Sequence, residues 1–479
     1  MKLALAAGAA AIFLAVPAAA QAFSPNDPFV SRQWYVDEDR AFDAFPDLPL
    51  LPPVRVAVID SGIDRSHPEL VRRVIAAKSF VGGTANDDDG HGTFVAGEIA
   101  AAVDNGRGIA GLAPSARLLV AKVVAEDGSV SPRVEARAIR WAVKHGARVI
   151  NVSLGGLRDP TDPAHSGYSW AEQRAVDYAT ANGALVVAAV GNGDGAPIKP
   201  WRYASYPAAL PHVLGVASYG HSGNVPSFSN RDDVYVDLAT PGEDIFSLLP
   251  RVVTGKNPDC TEQGYSSCGP KEFRRGAGTS FSAPQVSAAA ATLFALHPRL
   301  TPDQVSTLLE RNASDATPAT GCDACAPGRD ALTGFGELDE AAAIRALRLD
   351  PLPPRDRLEP NDDIGFVAAV VKGPRARIRA TIDSWDDPND VYRVKLKRGE
   401  WIRARLRSSP DLDLSLALWK PQTHSLATAR DADRARRSVH PPGVNERLRY
   451  RARQSGWYFL QVKLAHAGSG SYRLKLTVG

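Results

Sequence analysis

The chain has 479 residues, 44% hydrophobic and 23% charged, which excludes a disordered chain and leaves room for one large and one small folded unit. Its net charge of +3 excludes little, but the charge is unevenly placed. From Pro354 onward Lys and Arg outnumber Asp and Glu 25 to 14, and in the remainder they are outnumbered 31 to 39.

The chain opens with one Lys, an apolar run and an Ala20-Gln21-Ala22 site. This is the layout of a secretory signal peptide over residues 1–22, and it predicts a secreted protein whose mature part starts at Phe23. No later run is long and apolar enough to span a bilayer. From Val54 to about Leu347, runs rich in Val, Ile and Leu alternate with helical patterns. VRVAVID, RLLVAKVV, RVINVSLGG, ALVVAAVGN and HVLGVASY read as buried strands. TFVAGEIAAAV, VEARAIRWAVKHG and AEQRAVDYATANG read as helices, the last two stopped by Gly. The alternation predicts an α/β unit over residues 23–347, a mostly parallel sheet with helices on both faces. Functional residues are then expected at the carboxyl ends of the strands.

Three segments carry chemistry. VAVIDSGID ends a strand on Asp60, and DGHGTFVAG places His91 at the head of a helix. GAGTSFSAPQVSAAAATLFALHP puts Ser280 at the start of a long apolar helix, where the macrodipole and free N–H groups favour developing negative charge. Each has an ordinary reading alone, Ser280 as a helix N-cap above all. Together, in the order Asp, His, Ser, they suit nucleophilic acyl transfer. VVAAVGNGDG adds Asn192 among glycines at the end of a strand.

These segments resemble the signature motifs of the subtilases, the subtilisin-like serine proteases, and the thermitase-like members in particular. The resemblance runs from about Ser24 to Leu347. It implies a serine endopeptidase that acts on polypeptides, with Ser280 as nucleophile, His91 as base, Asp60 orienting the imidazole and Asn192 in the oxyanion hole. It further implies that substrate lies as an extended strand between Leu154, Gly155 and Gly156 on one side and Gly128 and Ser129 on the other, with Val130 where relatives often carry a smaller residue. The pocket for the residue before the cleaved bond would be lined by Ala188, Ala189, Val190, Gly191 and Gly155, with Ser205 near its base. FSPNDPFVSRQW resembles a mature N-terminus that binds structural Ca²⁺. The implied ligands are Asp27, Glu69 and Asn105 with the carbonyls of Ala102, Arg107 and Ile109, hard oxygens that suit this ion. Asp87, Asp88 and Asp89 offer a second cation site, set against the plainer reading of a solvated acidic turn. Phe281 stands where many relatives have Met, and the stretch before Asp60 leaves no room for a large propeptide. From the residues alone, a catalytically silent scaffold and a peptide ligase remain open alternatives.

Four cysteines allow three pairings. Cys260 with Cys268 and Cys322 with Cys325 are expected as two local disulfides, since the CxxC pair has no His close by to complete a zinc site. Residues 348–358 hold three prolines among charges, with Pro360 just beyond, and read as a semi-rigid linker. After it the pattern switches to period two in YRVKLK, WIRARLRS, LDLSLALW, WYFLQVKL and SYRLKLTV, which predicts a small antiparallel β-sandwich over residues 359–479. EPNDDIGFVA, DPNDVYRVKL and SGWYFLQV resemble bacterial pre-peptidase C-terminal domains. Its basic charge suggests contact with acidic polymers or a cell envelope, and no specific nucleic-acid partner is expected.

Overall fold

A computed structural model describes residues 22–162, 167–256, 265–267, 272–352, 358–359, 361–365, 367–383, 388–408, 412–426, 429–441, 443–465 and 469–479. The signal-peptide reading, Cys260, Cys268 and residues 353–357 of the proline-rich stretch lie outside them, while Cys322 and Cys325 form the expected disulfide.

Seven strands build the main sheet: β1 (Val54–Asp60), β2 (Val74–Ser79), β3 (Ala116–Lys122), β4 (Val149–Val152), β5 (Leu185–Ala189), β6 (Val213–Tyr219) and β7 (Leu238–Pro241). Their order is β2-β3-β1-β4-β5-β6-β7, and every pairing is parallel. β1 is central and buried on both faces. Val56 and Val58 enter one apolar core, and Ala57 and Ile59 enter the other. A strand covered on both sides has to be apolar at every step, which is why VAVI lacks alternation. The strand order reverses between β1 and β4, so a crevice opens at their carboxyl ends.

The helices are α1 (Tyr35–Glu38), α2 (His91–Ala100), α3 (Pro132–Lys144), α4 (Trp170–Ala181), α5 (Arg251–Lys256), α6 (Ala283–Leu296), α7 (Pro302–Arg311) and α8 (Glu340–Leu349). α2 and α6 share the core on one face of the sheet, whereas α3 and α4 cover the other. α6 is buried nearly throughout, and its alanines at 288–291 let it run close beneath the strands. Local chemistry sets the ends. Ser169 caps α4 through Glu172 N–H, and Thr301 and Gln304 form a capping box ahead of Pro302 on α7. Gly146 and Gly183 follow α3 and α4 at φ of 77° and 79°, a conformation that costs glycine little. A three-stranded sheet of β8 (Ile245–Leu248), β9 (Tyr265–Ser267) and β10 (Phe273–Gly276) flanks α2.

Beyond α8 the chain forms two sheets packed face to face. One has the order β11-β13-β18-β15-β16, from β11 (Ala369–Val370), β13 (Asn389–Leu396), β15 (Leu414–Trp419), β16 (Arg434–Ser438) and β18 (Gly456–Leu464). The other has the order β12-β19-β14-β17, from β12 (Arg375–Asp383), β14 (Trp401–Ser408), β17 (Arg447–Arg451) and β19 (Ser469–Val478). Alternate residues such as Tyr392, Leu416, Leu460, Ala404 and Leu474 fill the space between. The five-stranded sheet turns its outer face toward the seven-stranded unit. Val391, Trp419 and Phe459 on that face are covered by Ile364 and Ala368. Neighbouring Asp362 then makes a 2.9 Å ion pair with buried His212 at the entry to β6, and Trp170 meets His424 edge to face.

Candidate active site

Asp60 is the last residue of β1 and fully buried, and His91 is the first of α2. The imidazole Nδ1 lies 2.8 Å from Asp60 Oδ1, which also accepts the Ser61 N–H at 2.7 Å. Burial by itself would lower the His91 pKa. The Asp60 charge and hydrogen bond, with Asp89 and Asp87 behind them, instead push it up to about 9.

The pair is held by residues that no motif drew attention to. Asp87, expected in a solvated turn, is fully buried. It accepts the Ser61 hydroxyl at 2.8 Å and the N–H groups of Gly90 and Thr93 at 2.9 and 2.8 Å. Ser61 in turn accepts the Gly92 N–H at 2.9 Å. One carboxylate therefore satisfies the open end of α2 and ties it to the end of β1. The approach is so close that a Cβ on Gly92 would sit 2.3 Å from the Gly62 carbonyl oxygen.

Ser280 lies in a 3₁₀ turn (Thr279–Phe281) that leads into α6. Its hydroxyl donates to the Ser153 carbonyl at 2.9 Å, and the Ser153 hydroxyl donates to the Ser280 carbonyl at 2.7 Å. Ser153 directly follows β4, so this exchange fixes the turn against the centre of the sheet. Behind it, Asn151 donates to Ser153 Oγ and accepts from Ser287 of α6. The Phe281 ring fills the gap to α2, 4.3 Å from Phe94 and 5.5 Å from the His91 ring between centroids. The Ser280 hydroxyl is directed at a carbonyl and not at the imidazole.

Asn192 follows β5. Its Oδ1 accepts both the N–H and the hydroxyl of Thr279, each at 2.9 Å, which leaves Nδ2 without a partner among the described residues. Gly191 adopts φ of 101° and donates to Thr279 Oγ1, and a Cβ there would come within 2.3 Å of Ser205 Oγ. Asp60, His91, Asn192 and Ser280 thus converge on the crevice at the carboxyl ends of β1, β4 and β5.

Of the expected substrate-binding segments, 154–156 leaves β4 beside Ser280. A Cβ on Gly155 would meet the Tyr206 carbonyl oxygen at 2.8 Å, so glycine is required there. Gly156 exchanges both backbone hydrogen bonds with Tyr206, at 2.8 and 3.0 Å. Leu154 is half-buried, and Ala188, Ala189, Val190 and Ser205 are buried beyond it. Gly128 and Ser129 are exposed at the tip of a loop closed by the Val124–Val130 bridge, where Ala125 and Ser129 are hydrogen-bonded.

The expected cation ligands gather elsewhere, around residues 102–109. Buried Asp27 accepts the N–H groups of Asp104 and Asn105, and buried Glu69 accepts the Asn105 side-chain amide at 3.0 Å. The Ala102 N–H bonds the Glu69 carbonyl, Arg107 donates its N–H to Asn105 Oδ1, and Ile109 is buried below. Burial raises both carboxyl groups, with Glu69 pushed up to about 7 and Asp27 adding to it. Two buried, mutually repelling carboxylates beside amide and carbonyl oxygens fit a hard cation. They are only two, and among the described residues no group of three or more His, Cys, Asp or Glu side chains forms a metal-holding cluster.

Residues 53–336 match the family model described as the subtilase family, Peptidase_S8. Thermitase of Thermoactinomyces vulgaris is 38% identical over 232 residues, covering 48% of this chain and 77% of thermitase. The major intracellular serine protease of Bacillus subtilis (strain 168) is 39% identical over 248 residues, covering 50% and 68%. Among solved structures, a protease from Pseudoalteromonas arctica PAMC 21717 superimposes with a TM-score of 0.53 at 26% identity, over 67% of this chain and 99% of that one. With the parallel sheet and the crevice described above, these matches mean that the chain belongs to the subtilase family and is a serine endopeptidase.

Proposed function

We propose that the enzyme cleaves peptide bonds through an acyl-enzyme on Ser280. Ser280 Oγ attacks the scissile carbonyl carbon while His91 Nε2 takes its proton. The tetrahedral oxyanion accepts hydrogen bonds from Asn192 Nδ2 and the Ser280 N–H. As the intermediate collapses, the C–N bond breaks and His91 returns the proton to the departing amine. Water, deprotonated by the same base, then hydrolyses the ester. Asp60 holds the Nδ1–H tautomer and stabilises the imidazolium. The observation that carries this reading is the 2.8 Å His91–Asp60 bond, at the strand ends where the Ser280 turn and the unpartnered Asn192 amide also open. A fluorophosphonate probe is the test. It should label Ser280 and fail on Ser280→Ala, and a Ser280→Ala enzyme with wild-type turnover would overturn the assignment.

In this reading substrate enters as an extended strand beside Leu154, Gly155 and Gly156 and faces Gly128 and Ser129. Ala189, Gly191 and their neighbours form a small-walled apolar pocket. The Ser153 carbonyl, which accepts the nucleophile hydroxyl in the free enzyme, becomes available to a substrate N–H. Asp27, Glu69 and Asn105, with the carbonyls of Ala102, Arg107 and Ile109, would hold Ca²⁺. Its charge would offset the repulsion between the two carboxylates and brace the N-terminal segment, with no part in the chemistry. Residues 1–22 serve as the signal for secretion, 23–347 form the peptidase unit, 348–358 a linker and 359–479 a domain of pre-peptidase C-terminal type that holds the enzyme near acidic material.

A further inference from the structure

The four-stranded sheet of the C-terminal sandwich has one face in the apolar core and one in water. Strand register decides what the outer face carries. Arg377 of β12, Lys475 of β19, Arg405 of β14 and Arg447 of β17 stand side by side across all four strands. Two residues along, Arg379, Arg473 and Arg407 form a second row. In the opposite direction Arg375, Arg403 and Arg449 form a third, interrupted by Thr477. All of these side chains are exposed. Among the described residues the one acid in outward register on the four strands is Asp383, at the last step of β12 and opposite Ser469, beyond the three rows. None of the cations in the rows has an ion-pair partner among the described residues.

Such an arrangement works against folding. Like charges directly opposite in a sheet are destabilising, and a surface built only for solubility intersperses both signs. Nor does the peptidase unit use this face. That unit sits against the other sheet, through Asp362 with His212 and Trp170 with His424. The cationic face is therefore the distal side of the molecule, free for a partner.

The shape narrows the partner. With strands ~4.8 Å apart and a rise of ~3.4 Å per residue, the array is about 14 Å on each side. A linear polyanion would engage one row at a time, whereas a layer of headgroups offers anions to all rows at once. Readers of single-stranded nucleic acid stack bases on aromatic rings. Here the Trp401 ring is already covered by Arg449, 4.1 Å from its centroid. At the rim, the loop entering β17 exposes Val439 and Val444, small apolar groups that suit an interface with lipid. Guanidinium groups bind phosphate bidentately.

We propose that this face docks the enzyme on an anionic phospholipid surface. The idea deepens the reading of the basic domain given above and holds independently of the peptidase assignment. Binding is electrostatic and reversible, and it weakens with salt because exposed charges are screened over ~8 Å at physiological ionic strength.

The test uses the full chain with phosphatidylcholine vesicles, with and without phosphatidylglycerol, read by co-sedimentation. Each juxtamembrane cation contributes about fivefold in affinity. The triple substitution Arg377→Gln, Arg405→Gln and Lys475→Gln should therefore weaken binding about 100-fold. It removes cross-strand repulsion, so the sandwich should melt no lower. A charge-matched control on the other sheet, Arg436→Gln, Arg437→Gln and Lys463→Gln, should lose less than about fivefold. Equal binding to neutral vesicles, equal loss in the control, or duplex DNA or a sulfated polysaccharide bound in place of vesicles would each overturn the proposal. Short-peptide hydrolysis, followed in the same samples, should not change. Its absence from the unsubstituted chain would count against the peptidase reading alone.

Discussion

The His91 environment sets the pH range in which the enzyme can work. A general base acts in its neutral form, so raising its pKa moves the acid limb of kcat/KM upward. Activity is then lost as pH falls through the raised value. With His91 pushed up to about 9 from an ordinary 6.5, only about 1% of the free enzyme would carry a neutral imidazole at pH 7. Between pH 7 and the plateau kcat/KM should rise up to about 100-fold. The side chain is 22% exposed, so solvent screens part of the attraction and the limb should fall somewhat below this limit. Asp89→Asn removes a solvent-facing charge and should move the limb down slightly with the plateau unchanged. Asp60→Asn should move it further down and lower the plateau by ~10⁴, because the amide favours the wrong tautomer. The assay is kcat/KM against pH for a short uncharged peptide at low substrate concentration. A limb at or below 6.5 in the unsubstituted enzyme would refute the reasoning.

Asn192→Ala should lower kcat by ~10²–10³ with KM nearly unchanged, since only the oxyanion uses the amide; a KM effect alone would point to ground-state binding. Gly92→Ala places a Cβ against the Gly62 carbonyl and should cost about 1–3 kcal/mol, read by chemical denaturation, together with a drop in kcat from a displaced His91. A chelator should lower the melting temperature, and Asp27→Ala should reproduce the shift with no further response to chelator; an Asp27→Ala protein that still responds would place the cation elsewhere. His212 is buried against Asp362, and although burial alone would lower its pKa, Asp362, Asp177 and Asp303 push it up to about 9. Its contribution is present in full below about 6.5 and is lost as pH rises through 9, so C-terminal docking should loosen at alkaline pH; protease-resistant linkage that is unchanged at pH 10 would contradict this.

The main sheet was legible because its strands are buried on both faces and bounded by turns. β1, β3, β4, β5 and β6 lie within the runs that composition marks out. β2 was not, because as an edge strand it is mostly half-buried and its apolar run VIAA is short, follows two arginines and ends at Lys78. β7 is four residues ending in Pro, and it gains strand character only from pairing with β6. In the site, Asp60, His91, Asn192 and Ser280 stand at the boundaries of elements, where motif and periodicity meet. Asp87, Ser61, Ser153 and Thr279 act through hydrogen bonds that exist only once distant segments are adjacent. Asp87 shows the limit most sharply. In sequence it belongs to a run of three aspartates suited to water, yet it is buried and closes the end of α2, while Asp88 lies outside and meets Lys122.

The C-terminal sheets show the same division between what alternation specifies and what pairing decides. Period two in WIRARLRS and SYRLKLTV is enough to assign strands and to separate inward from outward residues, because a half-buried strand has one dry face. It cannot say which strands become neighbours. Arg405 and Lys475 are 70 residues apart and face each other only in the observed register, and a one-residue slip would turn the cations into the core. The arginines therefore help enforce the register that displays them: burying any of the rows would cost more than the repulsion between them at the surface. Charge that looks dispersed along the tail becomes one face through pairing alone, and removing cross-strand repulsion at Arg405 should leave that register intact because Ala404 and Leu406 still hold β14 in the core.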